Sequence, residues 1–145
     1  KRLVKAFDQF NDIRYLNDIQ AAHKIQQDGI DILVDLTGFT QTSRTGIIAL
    51  KPVPISINWL GYAGTMGSLI NKPLFDYIIV DRIIAPNPND FSEQLLYLPC
   101  YQPNDSQRPV GKSTTKIENN LPADAFVFCC FNQTFKILNQ THQLF

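Results

Sequence analysis

The sequence has no long apolar run and no surplus of charge of either sign. No stretch approaches the roughly 20 consecutive apolar residues that a membrane-spanning helix needs. The first ten residues, KRLVKAFDQF, also lack the apolar core of a signal peptide. Basic and acidic residues number 13 each, so neither a nucleic acid nor a membrane is expected as a partner. With 44% hydrophobic residues, the chain is expected to be a soluble globular protein.

Cysteine is scarce as well. The chain has three cysteines, an odd number, and Cys129 and Cys130 are adjacent inside an apolar run. That arrangement is typical of reduced, buried thiols rather than of a disulfide framework. It favours a reducing, cytoplasmic location.

The motifs of several common enzyme classes are missing. There is no GxxxxGK[ST] and no GxGxxG. His23 and His142 have no cysteine or carboxylate neighbour at metal-ligand spacing, so we expect no metal site. A cysteine nucleophile is not indicated, because Cys129 and Cys130 fall within a predicted strand and Cys100 in a polar bend.

Short apolar segments alternate with helical patterns along the first hundred residues. A helix is predicted over Asn17–Asp28, because Asn17 is a capping residue with Gln20 three positions later and Gly29 stands where a helix ends. A second, short helix is predicted near Thr45–Leu50. Four strands are predicted at Ile30–Leu36, Ile55–Leu60, Tyr77–Val80 and Leu95–Leu98. The first is almost wholly apolar, like a parallel strand covered on both faces. The alternation predicts an α/β fold with an open parallel sheet.

The composition changes after residue 100. Residues 101–120 are rich in polar residues and proline, which predicts a linker or a surface excursion. Apolar character returns at Ala125–Phe131, where a further buried strand is predicted, and a helix is predicted to begin at Ile137. A second core therefore begins in this region. The only methionine is Met66, and we expect the chain to be a segment of a longer protein.

Loops with aromatic and hydroxyl residues, two of them also with glycine, follow three of the predicted strands. The loops are residues 37–40 (TGFT), 61–65 (GYAGT) and 132–136 (NQTFK). Ligands of open α/β sheets bind beyond the carboxyl ends of the strands, where glycine lets the backbone approach a ligand and aromatic rings offer stacking faces. Lys136 could balance the charge of a diphosphate. Taken one by one, these features are also explained by ordinary strand-ending turns and a solvated surface lysine.

Two carboxylates bracket the first predicted strand. Asp31 and Asp35 point to the same face by parity. They could act as a base and its partner. In the other interpretation, each carboxylate accepts hydrogen bonds at its own end of the strand.

The order of these motifs resembles that of a known family. The run DGIDILVDLTGFT, then Arg44, ALKPVPISINWLGYAGTMG, DYIIVD, YLPCYQPND and FVFCCFNQTFKI is similar to the catalytic region of the O-GlcNAc transferase and SPINDLY family, especially its bacterial members. The similarity runs roughly from residue 20 to residue 138. Several motifs in a fixed order make it more specific than any single loop.

The resemblance implies a GT-B architecture, in which two Rossmann-like lobes face a cleft for a nucleotide sugar. Residues 1–100 would form the C-terminal part of the first lobe, and residues 101–120 the linker between the lobes. Residues 121–145 would form the start of the second, nucleotide-binding lobe, with its first strand and the beginning of a helix. The expected fold class is therefore α/β, of partial GT-B type.

Residues of the first lobe are implied to bind the nucleotide sugar. In WLGY, Leu60 and Gly61 would contact the hexose of the donor, and Tyr62 belongs to the same loop. Phe39 matches an aromatic position of the neighbouring loop and would help to form the same pocket.

Residues of the second lobe are implied to act on the diphosphate. Lys136 of the FNxxxKI motif would stabilise the leaving nucleotide, and Gln133 matches a nucleotide-contacting position. A fixed ammonium there would act most strongly in the transition state of an inverting transfer. Neither a metal nor another cofactor would be needed.

The activity so implied is transfer of GlcNAc from UDP-GlcNAc to Ser or Thr of proteins. The alternatives are protein O-fucosylation with GDP-fucose, transfer of glucose to asparagine, and a catalytically inactive binding module of the same fold. Ala63 stands where members commonly carry proline, and SLINKP is longer than usual. The tetratricopeptide repeats and the later second-lobe loops of the family are outside this sequence, so the chain alone is expected to be inactive.

Overall fold

The structure is a computed structural model that describes residues 4–103, 107–129 and 131. Its first α-helix, α1, spans Asp18–Gln27. The Asn17 side chain accepts a hydrogen bond from the Gln20 N–H at 2.9 Å, and the Gln20 side chain accepts one from the Asn17 N–H at 3.0 Å. This reciprocal capping satisfies two N–H groups that the helix leaves unpaired. Gly29 follows the helix with φ of +65°. The predicted helix is thereby confirmed.

Four parallel strands form the main sheet. In chain order the described strands are β1 (Ile32–Asp35), β2 (Ile55–Asn58), β3 (Ser68–Leu69), β4 (Lys72–Pro73), β5 (Tyr77–Val80) and β6 (Gln94–Tyr97). The main sheet has the order β1-β2-β5-β6, and every neighbouring pair is parallel. A second helix, α2 (Thr45–Ala49), connects β1 to β2. The predicted open parallel sheet is confirmed.

Along the chain, β2 and β5 are separated by a small antiparallel hairpin of β3 and β4. This hairpin was not predicted from the sequence. Ile70 and Asn71 form its tip with φ of +47° and +63°. Two consecutive positive φ values are typical of a type I′ turn, which usually carries Asn-Gly. Isoleucine at the first position therefore hides this turn from a sequence pattern.

The sheet is packed more tightly on one face than on the other. Leu33 packs against a buried cluster that includes Ile48 of α2 and Phe75. On the opposite face of β1, Ile32 and Val34 are 54% and 41% exposed. The expectation that β1 is covered on both faces is therefore wrong, because the described residues cover its Leu33 face and leave Ile32 and Val34 exposed on the other.

Asp76 joins β2 to β5 near the amino ends of these strands. Its Oδ2 accepts hydrogen bonds from the Ser56 N–H at 2.8 Å and the Ser56 hydroxyl at 2.6 Å. Lys51 Nζ lies 3.4 Å from Oδ1. Burial raises the pKa of Asp76, but the bonds from Ser56 and the charge of Lys51 outweigh burial and hold this pKa below 3.8.

Glu93 fixes the chain that leads from β2 to the hairpin. Its buried carboxylate accepts hydrogen bonds from the Met66 N–H and the Thr65 hydroxyl, each at 2.7 Å. The Ser92 hydroxyl adds a bond at 3.2 Å. Thr65, the last residue of the predicted loop 61–65, thus anchors that loop to the start of β6.

The chain divides into two compact units, Lys1–Asn104 and Asp105–Phe145. The described part of the second unit contains one short 3₁₀ helix, Ile117–Asn119, followed by Asn120 with φ of +55°. Lys116 Nζ donates a hydrogen bond to the Ala125 carbonyl at 2.6 Å. None of the helices in the described residues has the length and apolarity that a bilayer crossing requires.

The buried strand predicted at Ala125–Phe131 differs from what the structure shows. Residues 125–129 and 131 are not in a strand, and Phe126 and Phe128 are exposed. Cys129 is also exposed, so it is not the buried thiol that was expected, and Cys130 lies outside the described residues. A parallel strand needs neighbouring strands for its hydrogen bonds, and none of the described residues of this unit forms one. The predicted helix start at Ile137 lies outside the described residues.

We predict that Asp76→Ala lowers the free energy of unfolding at pH 7 by about 1–2 kcal/mol, because Ser56 loses a charged acceptor that is partly exposed. The depressed pKa gives this stabilisation a defined pH dependence. It is fully present well above pH 3.8, the ordinary pKa, and it is lost as the pH falls through the lower folded-state pKa. Urea denaturation at pH 7 and near pH 3, followed by fluorescence of Trp59, the only tryptophan, measures both values.

Asp8→Ala, which removes an exposed aspartate, is the matched control. It should change stability little at either pH. A stability difference between Asp76→Ala and the unmutated chain that is equal at both pH values would contradict the role given to this carboxylate.

Candidate functional site

Two loops leave the carboxyl ends of β1 and β2 side by side. We call residues 36–40 the β1 loop and residues 59–64 the β2 loop. The two strands are parallel neighbours whose last residues, Asp35 and Asn58, are paired in register. The carboxyl edge of a parallel sheet is where ligands of open α/β folds bind. The candidate site is therefore this edge.

Glycine allows the two loops to touch through their backbones. A Cβ atom at Gly61 would overlap the backbone of Leu36 and Thr37. Gly38 has φ of +55°, and a Cβ atom there would lie only 2.6 Å from the Cβ of Tyr62. No other residue fits either position without separating the loops.

Asp35 holds the β1 loop in place. Its carboxylate accepts hydrogen bonds from the Thr37 N–H at 3.2 Å and the Gly38 N–H at 2.8 Å. The Thr40 hydroxyl donates a further bond to the Thr37 carbonyl at 2.8 Å. Asp31 lies exposed at the opposite end of β1. The structure therefore favours the loop-end interpretation for Asp35 over a pairing of the two carboxylates as a base and its partner.

The β2 loop begins with a strained turn. Leu60 has φ of +68°, and the Gly61 N–H donates a hydrogen bond to the Trp59 carbonyl at 2.9 Å. A three-residue turn with positive φ at its centre is rare and strained, and such strain concentrates at functional sites. The Trp59 indole N–H donates to the Tyr101 carbonyl at 3.1 Å, which fixes the start of this turn.

The rings of Phe39 and Tyr62 face each other across the two loops. Their centroids are 5.5 Å apart with an interplanar angle of 71°, which is an edge-to-face contact. Both rings are partly exposed. The structure thus brings Phe39, Leu60, Gly61 and Tyr62 together at one edge.

Asp81 and Tyr101 lie at the same edge of the sheet, after β5 and β6. Neither was predicted from the sequence to contribute to the site. One oxygen of Asp81 accepts bonds from the Ile83 and Ile84 N–H groups, and the other accepts the Tyr101 N–H at 2.8 Å. The bond from Ile84, followed by that from Tyr101, lowers the pKa of Asp81. A sequence feature could have revealed this role, since Val-Asp stands at the carboxyl end of both strands: Asp35 is the last residue of β1 and Asp81 is the residue after β5.

Two buried polar atoms at this edge have no hydrogen-bond partner within the described residues. They are the Oδ1 of Asn58, whose side chain is fully buried, and the hydroxyl of Tyr101. Burial raises the pKa of the Tyr101 phenol; the nearby Leu60 N–H opposes the rise and the charge of Asp81 adds to it. The hydroxyl is therefore protonated at neutral pH.

The described residues offer little for a metal. They contain no group of three or more His, Cys, Asp or Glu side chains arranged to hold one.

A cavity of about 410 Å³ adjoins Phe39, between α2 and the β3–β4 hairpin. Lys136 and Gln133, the predicted second-lobe contacts, lie outside the described residues.

Comparison with known proteins matches residues 1–108 to the profile of glycosyl transferase family 41. Over 94% of its length the chain is 32% identical to SEC of Arabidopsis thaliana, a probable UDP-N-acetylglucosamine–peptide N-acetylglucosaminyltransferase. Over 55% it is 45% identical to the UDP-N-acetylglucosamine–peptide N-acetylglucosaminyltransferase of Caenorhabditis elegans. The solved structure of a mutant O-GlcNAc transferase from Thermobaculum terrenum superimposes on 79% of the chain with a TM-score of 0.67 and 28% identity.

The chain is short beside these proteins. It spans 14% of the Arabidopsis protein, 7% of the Caenorhabditis protein and 22% of the Thermobaculum chain. The parallel sheet and the structural similarity confirm the expected α/β fold of partial GT-B type. The profile match covers more than half of the sequence, and the chain therefore belongs to glycosyl transferase family 41.

Proposed function

We propose that this chain is part of a longer inverting glycosyltransferase that transfers GlcNAc from UDP-GlcNAc to Ser or Thr side chains of proteins. The observation that carries the proposal is the contact between the β1 and β2 loops at the carboxyl edge of the sheet. The names of the relatives, which specify UDP-N-acetylglucosamine and a peptide, support the choice of donor and acceptor.

The geometry of the edge suits a sugar. The backbone of Gly61 carries no side chain, and the rings of Phe39 and Tyr62 present partly exposed apolar surface beside it. Sugar rings pack their apolar C–H faces on such surfaces while their hydroxyls bond to backbone groups. We propose that Phe39, Leu60, Gly61 and Tyr62 contact the hexose of the donor.

The proposed reaction breaks the bond between C1 of GlcNAc and the diphosphate. The hydroxyl oxygen of the acceptor attacks C1 and loses its proton to a base, and UDP leaves with the electron pair of the broken bond. We propose that Lys136 neutralises the charge that develops on the diphosphate and that Gln133 contacts the nucleotide, as the family resemblance implies. A fixed ammonium stabilises the transition state more than the ground state, because the charge is then larger.

The setting of the full-length protein is also a proposal. The free thiols of Cys100 and Cys129 are exposed, which suits a reducing compartment such as the cytoplasm. Tetratricopeptide repeats elsewhere in the longer protein would present the acceptor proteins. No metal ion is required by the proposed mechanism.

Donor profiling of the full-length protein tests the proposal. With an acceptor protein and each of UDP-GlcNAc, UDP-glucose and GDP-fucose, we expect transfer from UDP-GlcNAc, also in the presence of EDTA. Exclusive use of GDP-fucose would replace the proposed activity by O-fucosylation. Absence of turnover with binding of UDP-GlcNAc would identify an inactive binding module.

Lys136→Ala in the full-length protein should lower kcat for UDP-GlcNAc by about 10²–10³-fold, the effect typical of losing one contact to developing charge. Lys112→Ala, at an exposed lysine of the same unit, is the control and should leave kcat unchanged. Steady-state kinetics measures both. An unaltered kcat in Lys136→Ala would remove this lysine from the mechanism.

Gly61→Ala should separate the two loops, because the added Cβ meets the backbone of Leu36 and Thr37. We expect the free energy of unfolding to fall by about 1–3 kcal/mol, the usual cost of overpacking, and the KM for UDP-GlcNAc to rise. Gly111→Ala is the control, since a Cβ there meets nothing within 4 Å. A Gly61→Ala protein with unmutated stability and KM would refute the loop contact.

A further inference from the structure

Asn58 lies beneath the candidate site as the last residue of β2. Its side chain is fully buried on the face of the sheet that also buries Ser56. Its Nδ2 donates a hydrogen bond to the Tyr62 carbonyl at 3.2 Å. The side chain therefore closes a ring over the residues between them, Trp59–Leu60–Gly61, which form the strained turn.

This hydrogen bond fixes the downstream end of the turn. The upstream end is held by the Trp59 indole through Tyr101, and the middle rests on the β1 loop through Gly61. A residue such as Leu60 stays at positive φ only when its surroundings impose that conformation. Asn58 supplies a side-chain hydrogen bond to the Tyr62 backbone, and it thereby fixes the backbone position from which the Tyr62 ring packs against Phe39.

The other end of the Asn58 amide is unpaired. The Tyr62 carbonyl oxygen can only accept a hydrogen bond, so the Asn58 NH₂ group must face it. The Asn58 Oδ1 then points away from the Tyr62 carbonyl. Oδ1 lies 3.4 Å from the point where a Cβ of Gly38 would stand, and it has no hydrogen-bond partner among the described residues. An unsatisfied buried acceptor is destabilising, and an apolar side chain of similar shape often serves stability as well or better.

A polar group that is unfavourable for stability yet shapes a proposed ligand loop indicates selection for function. We propose that Asn58 is a positioning residue, which holds Leu60, Gly61 and Tyr62 in the conformation that receives the nucleotide sugar. This inference rests on the proposed function. Asn58 itself acts through the loop, because its buried side chain does not reach the surface.

The test compares Asn58→Leu, Asn58→Ala and Ser56→Ala in the full-length protein. Asn58→Leu keeps the branched outline and removes both polar atoms, and Asn58→Ala fits the site even if leucine is too large. Ser56→Ala is the matched control. It lies on the same strand and face and is equally buried, but its partner Asp76 is at the opposite end of the sheet.

Both Asn58 variants should raise the KM for UDP-GlcNAc by about three- to tenfold, the range expected for one lost hydrogen bond, with kcat within about twofold of the unmutated protein. The urea midpoint of Asn58→Leu should match or exceed that of the unmutated protein. Ser56→Ala should lower the urea midpoint and leave KM unchanged.

The inference is overturned if the Asn58 variants retain the unmutated KM. It is also overturned if Ser56→Ala raises KM as much as they do, because the effect would then follow stability alone. If the unmutated protein neither binds nor uses UDP-GlcNAc, the proposed function itself is wrong. That result comes from the unmutated protein alone and is therefore distinct from the effect of any substitution.

Discussion

Direct contact between the backbones of two loops is the constraint on which the candidate site depends. Gly61 meets Leu36 and Thr37 with no space for a side chain. This contact requires that β1 and β2 stay in the register that pairs Asp35 with Asn58. It also requires the turn at Leu60, whose positive φ carries the chain back toward the β1 loop. Sheet register, turn conformation and ring packing are therefore coupled in one small region.

The two ends of the sheet use polar residues differently. Near the amino ends, the Asp76 and Glu93 carboxylates accept hydrogen bonds from neighbouring segments and join them. At the carboxyl ends, Asp35 and Asp81 hold loops, while Asn58 and Tyr101 each keep a buried atom without a partner among the described residues. Buried groups are normally satisfied. Among the described residues, both buried atoms without a partner thus lie at the end that is proposed to bind the donor, near the strained turn at Leu60.

The sequence predicted those parts of the fold that local patterns determine. Asn17 and Gln20 identify the start of α1, and short apolar runs identify the four parallel strands. The β3–β4 hairpin was not predicted, because Ile70 occupies a turn position that favours asparagine or glycine. The open face of β1 and the missing strand at Ala125–Phe131 depend on neighbouring elements, which a local apolar pattern does not report. Phe39, Leu60, Gly61 and Tyr62 followed from the family resemblance, whereas the roles of Asp81 and Tyr101 arise from contacts between segments 20 to 42 residues apart.

The central claim is that the β1 and β2 loops together receive the nucleotide sugar. Hydrogen exchange of the full-length protein, measured by mass spectrometry with and without saturating UDP-GlcNAc, tests it directly. The backbone amides of residues 36–40 and 59–64 should exchange more slowly when the donor is bound, because the ligand covers both loops and opposes their opening. Donor binding that protects other segments and leaves both loops unchanged would contradict the claim.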